Sequence, residues 1–155
     1  MAVMRVSLVQ LASSTDSAAN RALVEARLGD LDGASDLVVL PEGTMHDFGS
    51  ADHDLVSAAE PLDGPFVAAL AEQARRLDAT VIAGMFERTD ELPFNTLVVV
   101  APDGSLAATY RKIHLYDSFG YRESDRLSAG DIEPVVVDIG GVPTGLMTCR
   151  STPSS

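Results

Sequence analysis

Asp36-Leu-Val-Val-Leu40 is the stretch that most limits what this chain can become. It is a continuous apolar run of strand length that Pro41 stops, and it has no polar side to turn to water. A strand of that kind needs neighbours on its edges and a layer over each face. The flanking segments provide them. Val3 to Leu11 alternates loosely and is rich in Val and Leu, which predicts a first strand. Thr15 and Asp16 are N-cap candidates for a helix to about Leu31, with Val24, Leu28 and Leu31 on one face and Gly33 at its end. Gly64-Pro65 opens a second helix whose Phe66, Leu70, Ala74 and Leu77 share a face.

Beyond residue 80 the pattern changes from helix alternation to hairpins. Thr80–Phe86 and Asn95–Ala101 read as strands, and Pro102-Asp103-Gly104 turns the chain into an antiparallel strand from Ser105 to about His114. Residues 115–131 read as a loop. Pro134–Ile139 is a further strand, and Gly140-Gly141 turns it into a last one, Val142–Cys149. Its uncharged run Gly145-Leu-Met-Thr148 predicts burial between layers. Strands alternating with helices first and hairpins afterwards give an α/β class with a mixed sheet.

Composition narrows the partners. A net charge of −12 and no Lys/Arg cluster longer than two argue against nucleic acid and against an anionic membrane surface. No apolar run approaches a membrane span, and the N-terminus lacks the core of a signal peptide. The single cysteine makes no intramolecular disulfide, so a reducing, cytoplasmic setting is expected.

Two singletons carry the chemistry. Of 11 basic residues only Lys112 is a lysine, and Cys149 is the only thiol. Glu42, Lys112 and Cys149 each stand at or near the C-terminal end of an apolar strand, where α/β folds place their sites. The set is coherent: a thiol needs a base to become a nucleophile, a shielded carboxylate can serve, and an ammonium can hold an oxyanion. His46, Asp47, His53 and Asp54 match no metal-ligand spacing and read as a solvated acidic loop. His114, on the parity of Lys112, reads as structural. No His follows Cys149, which excludes a papain-like order.

Leu40-Pro41-Glu42, Tyr110-Arg-Lys112-Ile-His-Leu115 and Gly145-Leu-Met-Thr-Cys149 resemble, in order, the glutamate, lysine and cysteine segments of the nitrilase, or carbon–nitrogen hydrolase, superfamily. Phe94-Asn95-Thr96 and the Pro102-Asp-Gly104 hairpin match as well, and the similarity runs from about Met4 to Cys149. The resemblance implies a four-layer α-β-β-α sandwich and a catalytic Glu42, Lys112 and Cys149. It also implies a second glutamate at Glu123 beside the site, an oxyanion-binding backbone N–H at Arg150, and no metal or cofactor. The implied reaction is hydrolysis of non-peptide carbon–nitrogen bonds in a small-molecule amide. Asp117–Ser124 looks closest to branches that act on small ω-amide acids, with nitriles and N-carbamoyl compounds left open. Homo-oligomers are an expectation of the same kind. After Cys149 the pattern departs: Arg150 stands where the family has an aromatic residue, and the segment that follows it there has no counterpart. The expectation is therefore residues 1–149 as the N-terminal part of such a domain, the first half of the sandwich or somewhat more, with 150–155 as a disordered tail. The alternative is an inactive truncated remnant, or a non-catalytic module that needs a partner chain.

Overall fold

A computed structural model of the protein describes residues 3–149. Five strands form one mixed sheet in sequence order: β1 (Val6–Leu8), β2 (Leu37–Val39), β3 (Thr80–Glu87), β4 (Phe94–Val100) and β5 (Leu106–Arg111). β1, β2 and β3 are parallel, whereas β4 pairs antiparallel with β3 and β5 antiparallel with β4. Helix α1 (Ser17–Gly29) crosses from β1 to β2, and the short α2 (Leu55–Ala58) and longer α3 (Pro65–Leu77) cross from β2 to β3.

The local chemistry accounts for these elements. The Asp16 carboxylate accepts from the Ala18 and Ala19 amides and caps α1. α1 stops at Gly29, two residues short of the expected Leu31, and Gly33 turns in the left-handed region beyond it. Gly64 and Pro65 open α3, and Phe66, Leu70, Ala74 and Leu77 are all buried, as their spacing predicts. Gly104, at φ +83°, lets the Pro102–Gly104 turn reverse the chain between β4 and β5.

The sheet has two unlike faces. On one, Val81, Ala83, Met85, Val98 and Val100 pack with Val24 and Leu28 of α1 and with the apolar face of α3. On the other, Leu37, Ile82, Leu97, Val99 and Tyr110 meet Ile139 and Leu146. Ile139 belongs to, and Leu146 directly follows, an antiparallel ribbon, β8 (Val136–Ile139) and β9 (Val142–Gly145), which turns through Gly140 and Gly141, both at positive φ. The 115–131 segment contains its own hairpin, β6 (Asp117–Ser118) with β7 (Tyr121–Arg122), followed by a 3₁₀ turn at Glu123–Asp125.

The last strand differs from its expectation. β9 ends at Gly145, pairs only with β8, and alternates in burial instead of being covered throughout. Leu146 is buried, but Met147 is 81% exposed and Cys149 is exposed. An uncharged run says that a segment can be covered. It does not say that both sides are, and this ribbon rests only one side on the five-stranded sheet. The tail 150–155, with Arg150, lies outside the described residues.

Candidate active site

Glu42 follows the end of β2 at a point where the chain passes unusually close to β3. Leu40 donates its amide to Ile82, Gly84 donates to Pro41, and Met45 donates back to Gly84. A Cβ at Gly84 would lie 2.9 Å from both the Glu42 Cα and the Gly43 nitrogen, so only glycine admits this approach. Gly43, at φ +65°, then turns the chain away. These two glycines fix where the Glu42 side chain leaves the backbone.

Lys112 continues β5 by one rung, its amide donating to the Asn95 carbonyl at 2.8 Å. It shares strand parity with Tyr110, so its side chain lies on the ribbon side of the sheet, as Asn95 does by parity with Leu97 and Val99. The backbone of Lys112 is also gripped from the far edge, where Gly130 donates to its carbonyl at 2.9 Å. A Cβ on Gly130 would come within 2.5 Å of the Arg111 oxygen, a second close approach reserved for glycine.

The side chains converge. Lys112, 3% exposed, donates through Nζ to Glu42 Oε1 at 3.0 Å and to Glu123 Oε1 at 3.1 Å, with Glu123 Oε2 at 2.9 Å. Glu123 is buried, and its Oε2 also accepts the Tyr116 amide at 2.8 Å. Asn95 Nδ2 donates to Glu42 Oε1 at 2.7 Å. Burial disfavours the Lys112 ammonium and is the largest single influence on it. The hydrogen bond it donates to Glu123, and the charge of Glu42 with the hydrogen bond donated to it, together outweigh burial and raise the Lys112 pKa above the ordinary lysine value.

This arrangement leaves specific atoms free. Both donors to Glu42 use Oε1, and Oε2 accepts from no described residue. An ammonium has three N–H groups, and the two carboxylates take two of them. Glu42 and Cys149 line one cavity of about 220 Å³, together with Val39, Leu40, Ile82, Leu97, Met147 and Thr148. Cys149 makes no hydrogen bond to Glu42 or Lys112 in this structure. Glu42, Lys112 and Glu123 are assembled, and Glu42 shares a small cavity with the thiol.

The chain matches the carbon-nitrogen hydrolase family over residues 5–152. The chain belongs to that family. It is 44% identical over 150 residues to a hydrolase from Mycobacterium tuberculosis, covering 94% of this chain and 52% of that protein. It is 32% identical over 158 residues to the chloroplastic omega-amidase of Arabidopsis thaliana, covering 91% and 41%. Among solved structures, a CN-hydrolase superfamily protein from Xanthomonas campestris with an arsenic adduct in its active site superposes with a TM-score of 0.84. The two are 37% identical, over 96% of this chain and 54% of that one. The chain spans about half the length of the curated relatives it matches. The mixed α/β class read from the sequence is the fold of this family.

Several residues escaped the sequence reading. Asn95 was part of a matching segment, yet its grip on Glu42 depends on how β2 and β4 lie across β3. Gly84 and Gly130 read as ordinary strand and loop glycines. Only a strand interior interrupted by glycine hinted at a close approach at Gly84. Among the described residues no three His, Cys, Asp or Glu side chains converge as metal ligands. His46 and His53 instead stack on each other at 5.0 Å. No described helix is long and apolar enough to cross a membrane.

Proposed function

We propose that this carbon-nitrogen hydrolase acts on small amides through a thioester on Cys149. The observation that carries the proposal is the Glu42–Lys112–Glu123 relay around the buried Lys112 ammonium, with Glu42 lining the same cavity as Cys149. Glu42 Oε2 takes the thiol proton, and the thiolate sulfur forms a bond to the amide carbon as the carbonyl π pair moves onto oxygen. The spare N–H of Lys112 stabilises that oxyanion. Arg150, whose backbone N–H is the second proposed donor, lies outside the described residues. As the oxyanion collapses, the carbon–nitrogen bond breaks and the departing nitrogen takes the proton from Glu42, leaving as ammonia or an amine. Water then attacks the thioester, Glu42 again accepts a proton, and the acid and the thiol are released.

Each remaining residue has a part. Lys112 holds the Glu42 carboxylate in place through its Oε1. Glu123 is a second carboxylate partner that keeps the buried ammonium paired, and Asn95 fixes which Glu42 oxygen faces the thiol. Small ω-amide acids are the proposed substrate class. The sequence of Asp117–Ser124 and the similarity to an omega-amidase support it. The test is ammonia release from a panel of ω-amide acids, simple amides and nitriles. Turnover should be best on the ω-amide acids and vanish in Glu42→Gln. Equal release by Glu42→Gln would overturn the base assignment.

The exposure of Cys149 and Met147 favours a second reading, in which the chain is a non-catalytic module that a partner chain completes. Absence of turnover together with a well-packed near-ultraviolet circular dichroism spectrum would support it.

A further inference from the structure

Arg126 belongs to no part of this mechanism, yet its guanidinium joins the two segments that flank it. It follows the 3₁₀ turn that begins at Glu123, and its amide donates to the Glu123 carbonyl at 2.9 Å. Its side chain reaches back to the loop that follows Glu42. Nη2 donates to the Phe48 carbonyl at 2.7 Å and the His53 carbonyl at 2.8 Å, while Nη1 donates to the Tyr121 hydroxyl at 2.8 Å. The partners are uncharged, so the contact is one of shape: a planar fork holds two carbonyls of one loop and a hydroxyl of another hairpin.

The loop needs such a tie. Residues 44–47 are held by Gly84, Ser14 and Asn20. From 48 to 53 the other described hydrogen bonds stay within the loop, as Gly49 to Asp47, Ser50 to Asp52 and His53 to Ser50. Outside Arg126, ring contacts of Phe48 with Phe86 and of His46 with Phe86 anchor this region to the sheet. The contacts therefore close a ring: Glu42 to Lys112, Lys112 to Glu123, Glu123 through one turn to Arg126, and Arg126 through the Phe48–His53 loop back towards Glu42.

We propose that Arg126 is a positioning residue that sets the spacing of Glu42, Lys112 and Glu123 by clamping the loop after Glu42 to the turn that carries Glu123. The proposal gives the relay of the previous section its brace, and its test does not depend on turnover. Lys112 is the only lysine, so ¹⁵Nζ-lysine labelling gives one side-chain ammonium to follow against pH. The sign discriminates. Removing the Arg126 charge through space would raise the Lys112 pKa, because a nearby cation is lost. Releasing the clamp lets the carboxylates drift and lowers it.

In Arg126→Met, with folding verified by thermal melting, the Lys112 pKa should fall by about half a unit or more. It should fall further in Glu123→Gln, and combining the two should add little, because both act on the same contact. Should Arg126→Met fail to fold, Tyr121→Phe, which removes one clamp contact and no charge, is titrated in its place, and a fall in the Lys112 pKa is again expected. An unchanged or raised Lys112 pKa in the folded variant overturns the proposal. Loss of amide hydrolysis with a normal Lys112 titration in the unaltered protein would count against the proposed function and leave the clamp standing.

Discussion

The two sides of the candidate site are built to different standards. Glu42, Lys112 and Glu123 hang from the five-stranded sheet and its edge loops, with close-approach glycines beneath and hydrogen bonds to most of their polar atoms. Cys149 follows a two-stranded ribbon and is exposed, with no described side chain holding its sulfur. The contrast separates two requirements that catalysis usually merges. Burying an ammonium between carboxylates needs a rigid cage, because each unpaired charge would be costly. A thiol has no such need, and its position can be left to whatever covers it. The relay is therefore a stability element as much as a proposed chemical one, whereas the proposed part of the thiol is chemical only.

Substitution at the two sides should expose this difference most sharply. Lys112→Met leaves two carboxylates facing each other without their cation, and should lower stability by about 3–5 kcal/mol in chemical denaturation. Cys149→Ser should change stability by less than about 0.5 kcal/mol, while any amide turnover falls by about a thousandfold or more. A stability loss in Cys149→Ser as large as that in Lys112→Met would break the comparison. The same pair has a pH signature. Because the Lys112 pKa is raised on folding, its contribution is complete below the ordinary lysine pKa and is lost as pH rises through the folded value. Alkaline denaturation should show that loss in the unaltered protein and lack it in Lys112→Met.

A smaller effect should come from the backbone beneath Glu42. In Gly84→Ala the new methyl would sit 2.9 Å from backbone atoms of Glu42 and Gly43, which have no side-chain freedom to move aside. A cost of about 1–3 kcal/mol is expected. Since the displaced group is the proposed base, turnover should fall by about tenfold to a hundredfold with substrate affinity little changed. Full activity in a destabilised Gly84→Ala would mean that the cage tolerates more play than its packing suggests.

What could be read from the sequence follows the same division. α3 was legible because Phe66, Leu70, Ala74 and Leu77 repeat with helical spacing, and the β4–β5 hairpin because Pro102-Asp-Gly104 states its own turn. Those signals are local. Lys112 was conspicuous as a single lysine among arginines, and Glu42 shared its place at a strand end, but Glu123 could be brought to it only by the resemblance. Gly84, Asn95 and Arg126 depend on segments far apart in the chain, and no local pattern reveals a clamp between residues 48, 53 and 126. The last strand was misjudged because an apolar run records capacity for burial, and burial also needs a covering layer. The β6–β7 hairpin was read as loop for a chemical reason: its turn is Phe119-Gly120, which lacks the Asn-Gly signature of such turns.

That unusual turn supplies the smallest test. Phe119 and Gly120 connect β6 directly to β7, and both have positive φ, +53° and +80°. Glycine adopts this region freely, whereas a phenylalanine there brings its Cβ against the neighbouring carbonyl. No packing compensates, because Phe119 is 98% exposed. Asparagine tolerates the left-handed region and precedes glycine in the favoured two-residue hairpin turn. Phe119→Asn should therefore raise stability by about 0.5–1 kcal/mol, read as a higher midpoint in thermal or urea unfolding. The hairpin is rooted next to the relay, where Tyr116 donates to Glu123 and Ser124 to Asp117. If that root is rigid, relief at the tip stays at the tip, and the Lys112 ammonium resonance should keep both its position and its titration. A displaced Lys112 titration in Phe119→Asn would show that the cage extends through the hairpin to its exposed end. The boundary between the braced and unbraced regions would then have to be redrawn to include residues 117–122.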